Sequence, residues 1–280
     1  MKNAANVSRG IHRMDFSRIE QKVPETLRCV VSEKIQKNES YPPVYLMKIA
    51  IMQPYFLPYI GYWQLIQAVD KLVLLDDVNY IIRGWINRNR ISVNGEPYWM
   101  TLPLVAASRN RLISDIDLLP DDGWKNRLIR KVEDSYKAES SFPETMQAFS
   151  ELMECAQGNL SVYLAASIKR ICGLLGLAAE IIPTSRIFPK ADMKGQHRIL
   201  DICTRLGADE YLNLPGGRNL YDSELFAGRG IRLMFLDAPH PGLGLKSGSP
   251  TGEPLSLLDT LMMNPLAVTR AAVSKFQIQK

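Results

Sequence analysis

From Met47 onward, the sequence alternates between short apolar runs and longer segments with helical spacing. The first run, Lys48–Met52, is aliphatic and shows no polar alternation, which is typical of a strand buried on both faces. Helical segments follow such runs, at Ile60–Val69 after the first strand and at Lys194–Leu206 after a later one. The pattern predicts an α/β fold with a mostly parallel, Rossmann-like sheet.

The other predicted elements continue this alternation on both sides of an interruption. Further strands are predicted at Lys71–Leu75, Ala179–Ile182, Glu210–Leu214 and Ile231–Leu236. Further helices are predicted at Gly123–Lys137, Pro143–Ala156, Leu160–Leu175, Ser223–Ala227 and Leu255–Met263. The order of the strands in the sheet does not follow from the sequence.

The interruption, at about Tyr80–Asn159, reads as a β-hairpin and helical insertion. Asn94-Gly95 separates two β-rich runs, Trp85–Val93 and Glu96–Leu104. Asn-Gly favours a type I′ turn, because both central residues of that turn have positive φ. Ile113–Leu118 is a further strand candidate.

Residues 1–46 differ in composition from the rest of the chain. They are polar, contain one weakly amphipathic stretch around Phe16–Ile35, and end in the helix-breaking run Ser40-Tyr41-Pro42-Pro43. We predict that 1–46 is a flexible, dispensable extension and that 47–280 is a single α/β domain. A short regulatory or docking helix within 1–46 is the alternative.

The charge balance bears on the kind of partner. The 280-residue chain carries a formal net charge of +5, and its basic residues are dispersed. Such a balance suits an anionic small molecule, such as a phosphate or a nucleotide-sugar, although a mildly basic surface without a ligand gives the same composition. RNA is compatible with the charge, but no RRM, KH or OB signature supports a nucleic-acid partner.

The cysteines and the hydropathy profile predict a cytoplasmic protein without a membrane span. The four cysteines lie far apart and show no metal-ligand spacing, and Cys172 and Cys203 fall in apolar helical patterns. No apolar stretch reaches the ~18 residues of a spanning helix, and the N-terminus lacks a secretory apolar region. No motif indicates a cofactor, a metal or an oligomeric state.

Polar side chains follow nearly every predicted parallel strand, at the point where the strand ends. Gln53 and Tyr55 follow the first strand, and Asp76 and Asp77 the second. Ser185 and Asn213 follow two later strands. Ligands of open α/β sheets bind outside these carboxyl ends, so we predict a crevice lined by these residues. Polar loops also border strands that bind nothing, which is the alternative.

Asp76 and Asp77 are the candidate catalytic residues. A carboxylate at a strand end can act as a general base or hold a substrate hydroxyl. No third acidic residue or histidine lies near in sequence, which disfavours a metal site. Paired aspartates also occur as turn and cap residues, and that reading stays open.

The densest polar cluster runs from Arg83 to Arg90. If the chain is extended from Trp85, then Trp85, Asn87 and Asn89 share one face and Arg88 lies on the other. Amides beside an indole suit a sugar or a base, and guanidinium groups suit phosphate or carboxylate. Arg83, Asn87, Arg88 and Asn89 are therefore candidate substrate-binding residues. A solvated edge strand protected by its charges is the alternative.

Several motifs resemble the WbqC-like family over about Met47–Asn264. They are the segment 52–66 (MQPYFLPYIGYWQLI), Asp70 with LLDDVNY at 74–80, WINRNRI at 85–91, GADEY at 207–211 and LSLLD at 255–259. The Gly/Pro/Ser-rich stretch Pro239–Pro250 departs from the more aromatic loop expected there. The resemblance implies a bacterial protein encoded beside surface-polysaccharide or O-antigen genes.

The resemblance and the residues together predict a transferase in polysaccharide biosynthesis or modification. Its substrate would be an activated anionic small molecule, such as a nucleotide-sugar or an acyl or aminoacyl donor. No nucleophile–base pair is recognisable, and none of the three histidines lies in such a motif. A non-catalytic ligand- or partner-binding protein of a biosynthetic complex is therefore the alternative, and whether the chain is an enzyme stays open.

Overall fold

The computed structural model describes residues 45–237, 243–249 and 254–280, and the predicted extension lies almost entirely outside them. The strands are β1 (Lys48–Met52), β2 (Lys71–Leu74), β3 (Arg88–Val93), β4 (Glu96–Thr101), β5 (Glu180–Ile182), β6 (Glu210–Asn213), β7 (Arg232–Asp237) and β8 (Gln277–Gln279). The α-helices are α1 (Ile60–Gln67), α2 (Trp124–Tyr136), α3 (Phe142–Glu154), α4 (Leu160–Leu175), α5 (Gly195–Arg205), α6 (Ser223–Ala227), α7 (Leu257–Met263) and α8 (Leu266–Val273).

A six-stranded sheet with the order β5-β2-β1-β6-β7-β8 forms the centre of the fold. All neighbours pair in parallel except β7 and β8, which are antiparallel. The predicted mostly parallel α/β sheet is thus confirmed. From β1 the chain first builds outward through β2 and β5, and then returns to place β6 on the other side of β1. The topological switch point lies between β1 and β6.

The strands bury side chains on both sides, as their uninterrupted apolar runs predict. Ala50 and Leu72 point toward a core shared with α1, α4, α7 and α8. Ile49 and Val73 point to the opposite face, where α5 and α6 cover the sheet. Successive residues of a strand alternate between faces, so a strand covered on both sides must be apolar throughout.

Two aspartates fix the start of the central strand at the amino edge of the sheet. The backbone amide of Met47 donates to Oδ2 of Asp209 at 3.0 Å, and that of Lys48 donates to Oδ2 of Asp70 at 2.7 Å. Both aspartates stand just before a neighbouring strand. These contacts give the acidic residues of two of the family-like motifs a structural role.

The insertion contains the predicted hairpin, which pairs β3 with β4 as a separate two-stranded sheet. Asn94 and Gly95 have φ of 54° and 83°, as a type I′ turn requires. The prediction of a strand at Ile113–Leu118 is wrong. This segment contains a 3-10 turn, Ile113–Asp115, and only isolated bridges. The sequence analysis also missed α8 and β8.

The helices of the described ranges are all too short or too polar to cross a membrane. The predicted loop Pro239–Pro250 is described only at 243–249, and its remaining residues lie outside the described part of the chain.

Candidate functional site

The carboxyl ends of β1 and β6 meet at the switch point, the place where open α/β sheets bind ligands. Gln53 follows β1, and Asn213 is the last residue of β6. The side chain of Gln53 is half-buried, whereas that of Asn213 is 6% exposed. Sheet topology therefore brings these two predicted residues to the same edge.

The loop after β1 packs its tyrosines around Gln53. The hydroxyl of Tyr55 donates to Oε1 of Gln53 at 3.3 Å, and that of Tyr62 donates to the Gln53 carbonyl at 3.0 Å. Burial raises the pKa of Tyr55, and the nearby Tyr59 raises it further. Tyr55 therefore stays protonated at neutral pH and acts as a hydrogen-bond donor that orients the Gln53 amide.

Asn213 is tied to neighbouring aromatic residues. Its Nδ2 donates to the hydroxyls of Tyr211 and Tyr221 at 3.1 and 3.0 Å, and its Oδ1 accepts from the backbone amide of Leu214 at 2.7 Å. Gly217 passes so close that an added Cβ would lie 2.8 Å from Nδ2. These contacts make Asn213 a support for the loop after β6.

The carboxylate of Asp76 lies between the ends of β2 and β5 and is 2% exposed. Its Oδ1 accepts from the Thr184 hydroxyl at 2.8 Å and from the Ser185 backbone amide at 3.0 Å. Its Oδ2 accepts from the Ser161 hydroxyl, at the start of α4, at 2.6 Å. Asp76 thus joins three segments of the chain, and its oxygens are occupied by protein donors.

Asp77 and Ser185 form the centre of the same polar cluster. The Ser185 hydroxyl is buried and lies 2.6 Å from Oδ1 of Asp77, to which it donates. Its oxygen accepts from the backbone amides of Asp76 and Asp77 at 3.2 and 3.3 Å. Because donor and acceptor positions are both used, Ser185 anchors the two aspartates and is not free to act as a nucleophile.

Two cations that the sequence analysis missed complete the cluster. Nη2 of Arg198, on α5, lies 3.0 Å from Oδ2 of Asp77, and the Arg198 side chain is 2% exposed. Nζ of Lys190 lies 3.8 Å from the same oxygen and donates to the Asp77 backbone carbonyl. The Lys190 side chain is 34% exposed, so it brings positive charge from the buried cluster to the surface.

The two asparagines of the predicted hairpin cluster point inward. Nδ2 of Asn89 donates to the carbonyls of Phe56 and Leu57 at 3.2 and 2.8 Å, which attaches the hairpin to the loop after β1. Asn87 accepts from the Tyr80 hydroxyl at 2.7 Å and donates to the Leu102 carbonyl at 2.8 Å. Their amides are used within the fold.

The arginines of the cluster lie on the outer face of the hairpin. Arg88 donates to the carbonyls of Arg83 and Gly84, and its guanidinium carbon lies 4.0 Å from the centre of the Trp99 ring. The predicted position of Trp85 beside the asparagines is wrong. The chain is not extended before Arg88, since Arg83 has φ 61°, and Trp85 packs beside Trp99 with ring centres 5.3 Å apart.

An apolar pocket of about 360 Å³ has Leu57, a residue of the loop after β1, in its wall. It lies among α3, α4 and α7, and its walls include Phe149, Ile171 and Leu261. Leu57 contributes to the wall from a left-handed backbone, with φ 45°. Arg170 is the charged residue of the lining and pairs with Glu151.

The described residues contain no cluster of histidine, cysteine and carboxylate side chains suited to a metal ion. Together, the fold and its polar edge define a doubly wound α/β protein with a candidate ligand site at the carboxyl ends of its strands.

The chain belongs to the WbqC-like protein family, whose model matches residues 53–271. It is also similar to the uncharacterized protein Rv1507c of Mycobacterium tuberculosis (strain ATCC 25618 / H37Rv), with 30% identity over 193 residues. That alignment covers 69% of this chain and 83% of the relative. None of the solved structures matches the chain.

Proposed function

We propose that this protein is a transferase of surface-polysaccharide (O-antigen) biosynthesis or modification, acting in the cytoplasm on an activated anionic small molecule. The observation that carries the proposal is the charge cluster at the carboxyl edge, where Asp77, paired with the buried Arg198, also holds Lys190 at the surface. A cation fixed at the ends of parallel strands suits a phosphate or carboxylate group of a donor.

The roles of the site residues follow from their exposure. Lys190 would contact the anionic part of the donor, and the half-buried Gln53 and Tyr55 would contact the remainder. Asp76, Asp77 and Ser185 are nearly inaccessible, so in this proposal they position Lys190 and the strand ends. The rate enhancement would then come from positioning and charge stabilisation, with no covalent intermediate.

Of the donor classes, the apolar pocket favours an acyl donor over a nucleotide-sugar. The pocket and the polar edge are connected by one loop, which carries Gln53 at its start and Leu57 in the pocket wall. A pocket lined mostly by aliphatic side chains suits a hydrocarbon chain, whereas a sugar requires hydrogen-bond partners.

A non-catalytic binding protein is the second candidate, favoured by one observation. The oxygens of Asp76 are occupied by hydroxyl and amide donors, as they would be in a structural anchor. The two candidates predict the same ligand binding and differ only in turnover.

The experiment compares thermal shifts of the full chain with nucleotide-sugars and short acyl-coenzyme A compounds. A ligand at about a hundred times its dissociation constant should raise the melting temperature by on the order of 5–10 °C. Lys190→Gln should abolish the shift, whereas Lys194→Gln, an exposed lysine on the same connection, should leave it unchanged. The absence of a shift with both compound classes would refute the proposal.

Turnover separates the two candidates once a ligand is found. The full chain is incubated with the donor and with a mixture of sugar acceptors, and donor loss is followed by mass spectrometry. Loss that requires Lys190 supports a transferase. Binding without loss supports the non-catalytic protein.

A further inference from the structure

The outer face of the hairpin combines exposed aromatic rings, exposed aliphatic side chains and cations. The guanidinium carbon of Arg88 lies over Trp99, and that of Arg90 lies 5.3 and 5.4 Å from the centres of Trp85 and Trp99. Trp85 and Trp99 are 40% and 38% exposed. Both other tryptophans of the chain, Trp63 and Trp124, are buried.

The loop before the hairpin extends this face. Ile81 and Ile82 are adjacent and are 50% and 47% exposed, and Arg83 beside them is also exposed. Arg88 binds the backbone of this loop and stacks on Trp99, so the loop and the ring belong to one surface.

Tyr98 does not belong to this surface. It pairs with the buried Ile91 and lies on the side of the buried Met100, the opposite side of β4 from Trp99, where Lys131 of α2 lies 5.3 Å from the centre of its ring. On the outer face, Arg83 forms no ion pair with a carboxylate among the described residues. The face therefore presents positive charge that the described part of the chain does not neutralise.

We propose that this hairpin face docks the protein on an anionic phospholipid surface. Tryptophan favours the headgroup level of a bilayer, because its ring is apolar and its edge is polar. The arginines beside Trp85 and Trp99 attract anionic headgroups, and Ile81 and Ile82 would enter the acyl boundary. Charge complementarity and the position of the isoleucines thus point to the same partner.

Single-stranded nucleic acid is the other polyanion that stacks on aromatic residues, and it fits less well. Base stacking would use Trp85 and Trp99, but it gives no role to two adjacent exposed isoleucines. Such a pair is disfavoured on a surface that meets only water and phosphate, because its apolar area stays unburied.

The test is co-sedimentation of the full chain with vesicles of phosphatidylcholine and phosphatidylglycerol, against vesicles of phosphatidylcholine alone. We expect binding to the anionic vesicles, weakened by salt because surface charges are screened. The fluorescence of Trp85 and Trp99 should shift to the blue on binding, and brominated lipid should quench it. The buried tryptophans report no such contact, which makes the signal specific to this face.

Matched variants separate this face from the general charge of the protein. Arg83→Glu should weaken vesicle binding at least about fivefold, and Ile81→Ser with Ile82→Ser should abolish the spectral shift. Arg229→Glu and Leu220→Ser change exposed residues elsewhere and should leave binding intact. All of these positions are on the surface, so the variants should melt like the parent.

Several outcomes would overturn the proposal. One is that the protein sediments equally with neutral and anionic vesicles. Another is that the control variants lose as much vesicle binding as Arg83→Glu does. A third is that the protein binds a single-stranded oligonucleotide more tightly than anionic vesicles. A self-associating chain that Ile81→Ser and Ile82→Ser turn into a monomer would show that the face binds a second copy. A nucleotide-induced thermal shift lost in Arg83→Glu would assign the face to a soluble ligand.

Discussion

The guanidinium of Arg198 lies 3.0 Å from the carboxylate of Asp77, and both side chains are almost completely buried. Removal of one partner breaks the closest ion pair of the other, which keeps only a longer contact, to Lys190 at 3.8 Å for Asp77 or to Asp201 at 3.7 Å for Arg198. We therefore expect Asp77→Asn and Arg198→Met each to lower the free energy of unfolding by about 3–5 kcal/mol. Urea denaturation measures both values.

The double variant is the internal check on that pair. Asp77→Asn combined with Arg198→Met should cost clearly less than the sum of the two single changes, because neither charge is then left alone. Asp122→Asn, which breaks the exposed pair with Arg127, should change stability little. Additive losses in the double variant would show that the two residues act independently.

Asn89 provides a second prediction, because it holds the loop that carries the candidate site. Its amide donates to the carbonyls of Phe56 and Leu57, and Leu57 adopts a left-handed backbone that costs energy for a bulky residue. Asn89→Leu keeps the branched shape of the side chain and removes the donor, so two buried carbonyls lose their partner. We expect a loss of about 2–3 kcal/mol in the free energy of unfolding.

The substitution of Asn89 should also affect ligand binding, because the loop that Asn89 contacts begins at Gln53. Asn89→Leu should weaken the ligand-induced thermal shift although the side chain touches no ligand. Asn126→Leu, an exposed asparagine on α2, serves as the control and should change neither quantity. A fully stable Asn89→Leu variant would contradict this account.

The hairpin shows what local sequence pattern can and cannot predict. Asn94-Gly95 placed the turn correctly, because the requirement for positive φ is local. Alternation also placed Asn87 and Asn89 on one face, but it did not show that this face points into the fold. Trp85 was assigned to that face because the strand was taken to begin there, whereas the chain turns at Arg83 and the strand begins at Arg88.

The strand order and the buried cations lay beyond local pattern. The pairing of β1 with β6 joins residues about 160 positions apart, and no spacing rule encodes it. Arg198 did leave a signal: it lies on the same helical stripe as the buried Ile199 and Ile202. A charge on an apolar stripe requires a buried partner, so this arginine was a predictable member of the cluster.

Asp259 gives a prediction of pH dependence. It is 1% exposed and accepts hydrogen bonds from the Tyr136 hydroxyl at 2.5 Å and from the backbone amides of Ser92 and Gly248. Burial raises its pKa above 3.8, and the hydrogen bonds only partly offset that rise. As the pH rises, the unfolded chain loses this proton before the folded chain does.

The direction in which stability changes with pH follows from that order of deprotonation. The stabilising contribution of Asp259 is complete below about pH 4 and is lost as the pH rises through the pKa of the folded state. We expect the stability of the parent relative to Asp259→Asn to fall over this range in urea titrations. Tyr136→Phe removes a hydrogen bond to the carboxylate and should move the loss to higher pH. A difference between the parent and Asp259→Asn that does not vary with pH would refute the raised pKa.

Deletion of residues 1–46 is the last prediction, and it tests the proposed boundary of the domain. The family match begins at Gln53, and the described core is built from β1 onward. A chain that begins at Met47 should fold and melt within a few degrees of the full chain, because it keeps every residue of both described core clusters. Differential scanning calorimetry provides the measurement.

The new terminus makes this deletion more informative than a simple truncation. The Met47 nitrogen lies 3.0 Å from the Asp209 carboxylate, so the α-ammonium of the shortened chain would form a charge-assisted bond there. Asp209→Asn should therefore destabilise the shortened chain more than the full chain. A chain that begins at Ile49 lacks the backbone amides of Met47 and Lys48, which bind Asp209 and Asp70. It should melt at a clearly lower temperature than the chain that begins at Met47. An unfolded Met47 chain, despite this favourable contact, would show that 1–46 is part of the folded domain.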